Sequence, residues 1–336
     1  MRSHKAICLV TLGIMLSFLK GSDIRWERTG GSGLAHATIT CFAVSGTDLF
    51  AGTLKEGVFL STDNGTSWKA VNSGLPRGVV IKDLAVSGTD LFAGASQGMF
   101  HSTNGGQNWR EASTGLTGSG VLCLVVSGTS LFAGTYAGVF QSANNGKTWK
   151  DASPGLPRYL NYPYFINELA VKGTNLFAST GDPLESQTAG VYVSPDNGKS
   201  WTRPSPGLSW GPIVMALIVS GPNLFIGTDQ GILRSTDDGK NWSEANSGLP
   251  MKRGRMQISH LDVYALGSTG ANLFAGTENG VFTSTDEGKS WAAANSGLPG
   301  DTAVLCFAKS AEYLFAGTSG AGVWRLPLLD VSIVKR

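Results

Sequence analysis

Four acidic residues have the chemistry of hydrolase carboxyl groups. They fall in connections that the repeat pattern described below predicts to lie on one face of the molecule: Asp182, Glu185, Asp229 and Glu278. Glycoside hydrolysis needs two carboxyl groups about 5 to 9.5 Å apart beside a groove. If the chain is an enzyme, these four residues are the candidate catalytic groups.

Two further acids, Asp83 and Glu168, stand out because other repeats hold a small residue at the same position. That position is cysteine in three repeats and alanine in two. Acids there could face a central channel, and an acid/base pair would need unequal pKa values. Because the two repeats are not adjacent, we do not expect direct proton sharing and favour a structural role.

Three insertions, 158–165, 181–189 and 251–260, form a candidate binding surface. The first holds tyrosines, the second the acids Asp182 and Glu185, and the third basic residues. With one further non-repeat tryptophan, the candidate aromatic and basic residues are Tyr159, Tyr162, Tyr164, Trp210, Lys252, Arg253 and Arg255. Exposed aromatic rings can stack on sugars or anchor peptides, and arginines can pair with carboxylates. The structural alternative is that these loops pack on one another and cap the channel.

The sequence offers no motif for other chemistry. No Cys or His spacing fits zinc, no nucleophile motif accompanies His260, and the glycines form no phosphate-binding loop. We therefore predict neither a metal nor an organic cofactor. Cys41, Cys123 and Cys306 occupy equivalent repeat positions, too far apart for disulfides, and are predicted to be small core residues.

Residues 1–21 are predicted to be a signal peptide, with a basic start and an apolar run from Ala6 to Leu19. The residues around Lys20 do not define a cleavage site. Without this segment the chain has 23 basic and 24 acidic residues, which argues against nucleic-acid binding. We expect a secreted, periplasmic or cell-surface monomer that is not an integral membrane protein.

Three signatures recur along the 336 residues, among which 46 are glycine. A strand like Leu49–Thr53 occurs seven times, as does a strand that starts at a glycine. A Ser-x-Asp-x-Gly-x-x-Trp segment occurs six times. Its acid or amide positions are Asp63, Asn104, Asn144, Asp196, Asp237 and Asp286, and its tryptophans are Trp68, Trp109, Trp149, Trp201, Trp242 and Trp291. Asp or Asn followed by Gly favours a tight turn, so we assign these residues a structural role.

The missing seventh turn motif predicts how the repeats close. The last repeat stops after Arg325, whereas residues 24–34 resemble an outer strand without the strands that should precede it. The sequence therefore predicts an all-β, seven-bladed β-propeller of four-stranded antiparallel blades over residues 22–326, with a tail at 327–336. The N-terminal strand would complete the last blade and close the ring.

Strand direction alternates within a blade, which predicts where the connections lie. The turns between the first and second strands share a face with those between the third and fourth. The other connections share the opposite face, and the three insertions fall there. Loops on a rigid scaffold are favoured places for binding residues.

The Ser-x-Asp-x-Gly-x-x-Trp segment resembles the Asp-box, or BNR-repeat, family. That family includes sialidases, xyloglucanase-type glycosidases, sortilin-like receptors and photosystem II assembly factors, so the resemblance implies the fold more than the function. Sialidases carry an Arg-Ile-Pro string near the start that is absent here. The nearest early arginines, Arg25 and Arg28, fall in the predicted closing strand. Xyloglucanase-like enzymes pair two propellers, and this chain has the repeats of one.

The leading hypothesis is a non-catalytic propeller that binds a carbohydrate or protein partner on its loop-rich face. The rival hypothesis is a glycoside hydrolase, closer to xyloglucanases than to sialidases. A third is an assembly factor for a larger complex.

Overall fold

The computed structural model describes residues 25–30, 33–117, 120–159, 162–163, 165–180, 190–204, 212–253, 259–270 and 272–328. These ranges are all β. The predicted seven-bladed propeller is confirmed. Within the same ranges, no helix is long and apolar enough to cross a membrane.

The strands of the first half of the chain are β1 Glu27–Arg28, β2 Ile39–Ser45, β3 Asp48–Thr53, β4 Val58–Ser61, β5 Lys69–Ala70, β6 Ile81–Ser87, β7 Asp90–Ala95, β8 Gly98–Ser102, β9 Arg110–Glu111, β10 Val121–Ser127, β11 Ser130–Thr135, β12 Gly138–Ser142, β13 Lys150–Asp151, β14 Arg158–Tyr159, β15 Tyr162–Pro163 and β16 Ile166–Lys172. Those of the second half are β17 Asn175–Thr180, β18 Gly190–Ser194, β19 Val214–Ser220, β20 Asn223–Thr228, β21 Gly231–Ser235, β22 Ser243–Glu244, β23 Lys252–Arg253, β24 Ser259–His260, β25 Val263–Ser268, β26 Leu273–Thr277, β27 Gly280–Ser284, β28 Ala292–Ala293, β29 Val304–Lys309, β30 Tyr313–Thr318 and β31 Val323–Pro327.

Consecutive strands pair into antiparallel blades. Blades 1 to 3 are β2–β5, β6–β9 and β10–β13, and blades 5 and 6 are β19–β22 and β25–β28. Blade 4 differs: its sheet holds β16–β18, and its outer strand is reduced to one bridge between Val193 and Thr202. The hairpins β14–β15 and β23–β24 lie in the connections that lead into blades 4 and 6.

The N-terminal strand closes the ring. In blade 7, β1 pairs with β31, with Glu27 opposite Arg325 and Arg28 opposite Trp324. The first and last parts of the chain therefore share one sheet, as the incomplete last repeat predicts. The inner strands of blades 1 and 7 are neighbours, which leaves no open edge between these blades.

Tryptophan indoles join neighbouring blades. Five buried tryptophans each donate the indole N–H to a main-chain carbonyl of the preceding blade, at 2.7–2.8 Å: Trp26, Trp109, Trp149, Trp201 and Trp291. Trp68 and Trp242 are only partly buried, and the Trp68 indole donates to the Thr29 hydroxyl instead. These five tryptophans thus bury large rings and satisfy their N–H groups between blades.

The Ser-x-Asp-x-Gly segments are tight turns held by their own side chains. In blade 1, the Asp63 carboxylate accepts bonds from the Ser67 amide at 2.8 Å, the Ser67 hydroxyl at 2.6 Å and the Ser61 hydroxyl at 2.8 Å. The hydrogen bond from the Ser67 side chain is the main reason that the pKa of Asp63 is lowered. Gly65 has φ of 80°, a left-handed conformation that glycine adopts without strain. Local turn chemistry accounts for these residue types.

A glycine in the second strand of six blades allows a close approach between blades. A Cβ atom on Gly52 would collide with Cys41 Sγ and lie 2.6 Å from Cγ2 of Ile81, in the next blade. We expect Gly52→Ala to lower the free energy of unfolding by about 1–3 kcal/mol, as overpacked cores do. Urea unfolding of the variant would measure this change.

Gly300→Ala is the matched control, since no atom lies within 4 Å of the Cβ that it would add. We expect this variant to match the wild type within about 0.5 kcal/mol. Equal stabilities for the two variants would show that the approach at Gly52 is not tight.

Candidate functional site

The two faces of the disc carry different connections. One face, which we call the turn face, carries the Ser-x-Asp-x-Gly turns. There the Asn64 side-chain amide donates to the Glu312 carboxylate at 3.0 Å, and the Asn145 side-chain amide donates to that of Asp90. On the other face, the Glu278 amide donates to the Asp262 carbonyl. We call this second face the loop-rich face, because both extra hairpins, β14–β15 and β23–β24, lie on it.

Exposed apolar side chains also concentrate on the loop-rich face. Three large hydrophobic residues of the described chain are exposed: Leu54 at 37%, Tyr136 at 44% and Phe165 at 38%. Leu54 and Tyr136 lie in connections between second and third strands, and Phe165 directly precedes β16. The Tyr136 and Phe165 rings meet edge to face, with centroids 5.4 Å apart. This aromatic pair joins blades 3 and 4.

The inner strands surround an axial cavity of about 190 Å³. Every inner strand has a register shift after its first residue, for example between Ile39 and Cys41 in β2. A bulge of this kind redirects the side chains that follow it. The residues after the shift then line the cavity together: Cys41, Asp83, Cys123, Glu168, Ala216, Ala265 and Cys306. Because inner strands begin at the loop-rich face, this ring lies near that face.

The structure brings Asp83 and Glu168 into this one cavity. Asp83 accepts hydrogen bonds from its neighbour Leu84 at 2.8 Å and from Leu124 of blade 3 at 2.7 Å. Burial raises the pKa of Asp83 to about 7, although these two bonds oppose the shift. Burial, and then the charge of Asp83, raise the pKa of Glu168 well above its usual range. Both side chains lie in the interior of the molecule, where the cavity leaves each of them partly accessible.

The cysteines of the ring are free thiols with main-chain partners. Cys123 Sγ lies 3.6 Å from the Ile166 carbonyl of the next blade, and Cys306 Sγ lies 3.7 Å from that of Ile39. Burial raises the pKa of all three thiols. Because the thiolate is the reactive form, these cysteines are suited to packing rather than to nucleophilic chemistry.

A polar network on blades 5 and 6 links the loop-rich face to the cavity. The Tyr264 hydroxyl donates to Asp262 at 3.0 Å, and His260 Nε2 lies 3.3 Å from the same carboxylate. Tyr264 occupies the bulge of β25 and lines the cavity. Burial, and then its bond to Asp262, raise the pKa of Tyr264 to about 12. Asp229 accepts a bond from the Ile213 amide at 2.9 Å, and its pKa is raised by burial.

The candidate residues from sequence are only partly placed. Lys252 is exposed and pairs with Glu278 at 3.0 Å, which joins a predicted ligand-binding residue to a candidate acid. Tyr159, Tyr162 and Arg253 lie in the hairpin strands, and nothing is described of their side chains. The others lie outside the described residues: Tyr164, Asp182, Glu185, Trp210 and Arg255.

Some candidate residues are not evident from the sequence pattern. Tyr136 lies in one of the short turns that recur in the repeats, whereas only the longer insertions differ from the repeat in sequence. Tyr264 follows the third insertion, and its bulge position has no sequence signature of its own. Across the described ranges, no group of three or more His, Cys, Asp or Glu residues is placed to hold a metal ion.

Residues 22–188 match the model of the DUF6242 beta propeller domain. No curated protein matches the sequence. Among solved structures, YCF48 bound to a D1 peptide has a TM-score of 0.67 and 16% identity, over 91% of this chain and 97% of that one. The GH74 xyloglucanase from Xanthomonas campestris has a TM-score of 0.65 and 17% identity, over 90% and 53%.

The extracellular domain of a putative one-component system from B. thetaiotaomicron has a TM-score of 0.68 and 16% identity. The match covers 90% of this chain and 39% of that one. The chain thus spans nearly all of YCF48 and about half or less of the other two structures. At these identities the likeness shows the fold alone. Residues 22–188 are similar to the DUF6242 beta propeller domain, and the chain has the propeller fold of the peptide-bound YCF48, the extracellular domain and the xyloglucanase.

Proposed function

We propose that this protein is a non-catalytic scaffold that binds a protein partner on its loop-rich face. The main evidence for this proposal is the position of the three large hydrophobic side chains that are exposed in the described chain. All three, Leu54, Tyr136 and Phe165, lie on the loop-rich face. Tyr136 and Phe165 are in contact, and contiguous exposed apolar groups are typical of interaction sites. Aromatic residues are also the usual energetic anchors of protein interfaces.

The solved structures support a protein partner over a glycan. YCF48, which this chain matches over nearly its full length, is described as bound to a peptide. The xyloglucanase extends well beyond the region that matches. The extracellular domain of the putative one-component system supports our further proposals that residues 1–21 are a signal peptide and that the protein acts outside the cytoplasm. The self-bonded Ser-x-Asp-x-Gly turns support membership of the Asp-box family.

Glycoside hydrolysis is the alternative function, and one residue, Asp229, favours it. Its raised pKa suits a general acid, and the charge of Asp262 acts on it from the same face. However, Glu278 is paired with Lys252. The raised pKa of Tyr264 opposes formation of a phenolate nucleophile. Polysaccharide hydrolysis that disappears in Asp229→Asn would favour the enzyme.

The partner proposal is tested by panning a random peptide library against the full chain. We expect the enriched peptides to bind Tyr136→Ala/Phe165→Ala at least about tenfold more weakly than the wild type, since interface anchors contribute that much or more. Fluorescence anisotropy with labelled peptides measures the affinities. The control variant is Lys240→Ala, on the turn face, which should bind as the wild type does.

Two outcomes would overturn the proposal. One is a set of peptides whose affinity does not depend on Tyr136 and Phe165. The other is a glycan array on which the wild type binds sugars and the double variant does not, since the aromatic pair would then be a sugar platform.

A further inference from the structure

The axial cavity contains acidic groups without a matching cation. The Glu168 carboxyl lines the cavity and forms no hydrogen bond or ion pair with any residue that the structure describes. The Asp83 carboxylate accepts hydrogen bonds from main-chain amides, but no positively charged side chain of the described ranges forms an ion pair with it. Buried acids are usually paired, so this arrangement needs an explanation.

Blade 4 departs from the other blades at a second position beside Glu168. The cross-strand partner of Glu168 is Ser179, whereas the corresponding partner in every other blade is glycine. Ser179 is fully buried, and its hydroxyl has no hydrogen-bond partner in the described chain. The unsatisfied Ser179 hydroxyl therefore lies on the strand next to Glu168, whose carboxyl is partly accessible in the cavity and has no protein partner in the described chain. If the position of Glu168 served only to fill the core, a small apolar residue would be enough, as Ala216 and Ala265 are in blades 5 and 6.

The remaining titratable groups that face the cavity do not supply the missing charge. They are Lys82, Tyr264 and the thiols of Cys41, Cys123 and Cys306. Lys82 occupies the bulge of β6 and lines the wall. It forms no ion pair with either acid in the described chain. The thiols and the tyrosine hydroxyl are neutral near pH 7, because their pKa values are raised.

We propose that the axial cavity binds the primary ammonium group of a lysine side chain that the partner protein presents, with Asp83 and Glu168 as its counter-charges. This inference rests on the proposed function, because it assigns the cavity to the same partner. An ammonium is a compact cation with three donors, which suits two carboxyls on different blades. The ring lies near the loop-rich face, where an extended side chain can reach it.

Binding is coupled to proton release. Burial raises the pKa of Glu168, so the cavity without a ligand favours the protonated acid. The charge of the entering ammonium, which keeps its three protons, favours the ionised carboxylate, so the proton held by the protonated fraction of Glu168 passes to solvent as the ion pair forms. No covalent bond forms between protein and ligand. The affinity should therefore increase as the pH rises from 6.0 to 8.5, as long as the ligand amine remains protonated.

The test uses the full chain and Nα-acetyl-lysine methylamide, with the norleucine analogue as the uncharged control. We expect isothermal titration to show binding of the lysine compound only. In two buffers of different ionisation enthalpy, it should show release of protons. Glu168→Gln should weaken the affinity roughly ten- to a hundredfold, since bonds to charged groups are worth that much.

A second variant keeps the proposal testable if Glu168→Gln folds poorly. Lys82→Met removes a positive charge from the wall and should strengthen binding of the lysine compound. Equal binding of the norleucine compound, or an affinity that Glu168→Gln leaves unchanged, would overturn the inference. Absence of lysine binding at any pH tested would do the same.

Failure of this inference and failure of the proposed function are distinguishable. Peptides that depend on Tyr136 and Phe165, together with a cavity that does not bind the lysine compound, would keep the partner proposal and remove the cavity proposal. A cavity that binds the lysine compound, without any such peptides, would remove the partner proposal alone.

Discussion

Trp26→Ala is expected to lower the free energy of unfolding by about 3–5 kcal/mol, the usual cost of truncating a buried aromatic residue. Trp26 is 2% exposed, and its indole N–H donates to the Ala294 carbonyl of blade 6 at 2.8 Å. Its main-chain amide also donates to the Ser296 carbonyl at 2.8 Å. Alanine would leave a cavity and an unsatisfied buried carbonyl.

The effect should be large because Trp26 holds the strand that closes the ring. It directly precedes β1, which is the outer strand of blade 7. Loosening β1 exposes the edge of β31, so blade 7 loses both a strand and its anchor on blade 6. Chemical denaturation followed by tryptophan fluorescence and circular dichroism would measure the change.

Trp242→Ala is the matched control for this prediction. Trp242 ends the corresponding segment of blade 5 but is only partly buried, and its indole donates to no carbonyl in the described ranges. We expect a loss of about 1–2 kcal/mol, since less apolar area is uncovered. If both variants lost the same stability, the special role of the closing strand would be wrong.

Glu168→Gln is expected to stabilise the protein at pH 8 and to leave its stability unchanged near pH 4. Burial, and then the charge of Asp83, raise the folded-state pKa of Glu168 above the ordinary glutamate value of about 4.5. Below pH 4.5 the group is protonated in both states and contributes nothing to the difference. As the pH rises above 4.5, the unfolded chain ionises first, and the folded state loses stability until its own raised pKa is reached.

Glutamine keeps the shape of the protonated acid and cannot ionise, so this loss disappears in the variant. We expect a gain of about 1–3 kcal/mol at pH 8, since one pKa unit corresponds to about 1.4 kcal/mol and the cavity partly solvates the group. Thermal and urea unfolding between pH 4 and pH 8.5 would measure it. Asp83 is still present, so the variant should retain a smaller decline between about pH 4 and its pKa of about 7.

The control is Glu244→Gln, because Glu244 is exposed in β22. Its stability should follow the wild type at every pH. A Glu168→Gln variant that is less stable than the wild type at pH 8 would contradict the prediction. Such a result would show that the ionised carboxylate has a stabilising partner in the folded protein.

The sequence by itself determined the repeat, the strand order and the closure. Leu-Phe-Ala-Gly-Thr or a close variant marks each second strand, and the six Ser-x-Asp-x-Gly-x-x-Trp segments mark turns whose hydrogen bonds are local. These turns can be predicted from sequence because the side chains that define each turn form their hydrogen bonds within it. The unmatched Trp26 segment was enough to predict which strand completes the last blade.

The tertiary structure alone decided which side chains meet. Asp83 and Glu168 lie in different blades, and only the closed ring and the bulge in every inner strand turn both toward one cavity. Tyr136 and Phe165 form a pair because the connections of blades 3 and 4 converge on one face. Such distances depend on how the blades pack around the axis. Sequence spacing specifies a position within a blade, but it carries no information about the distance between blades.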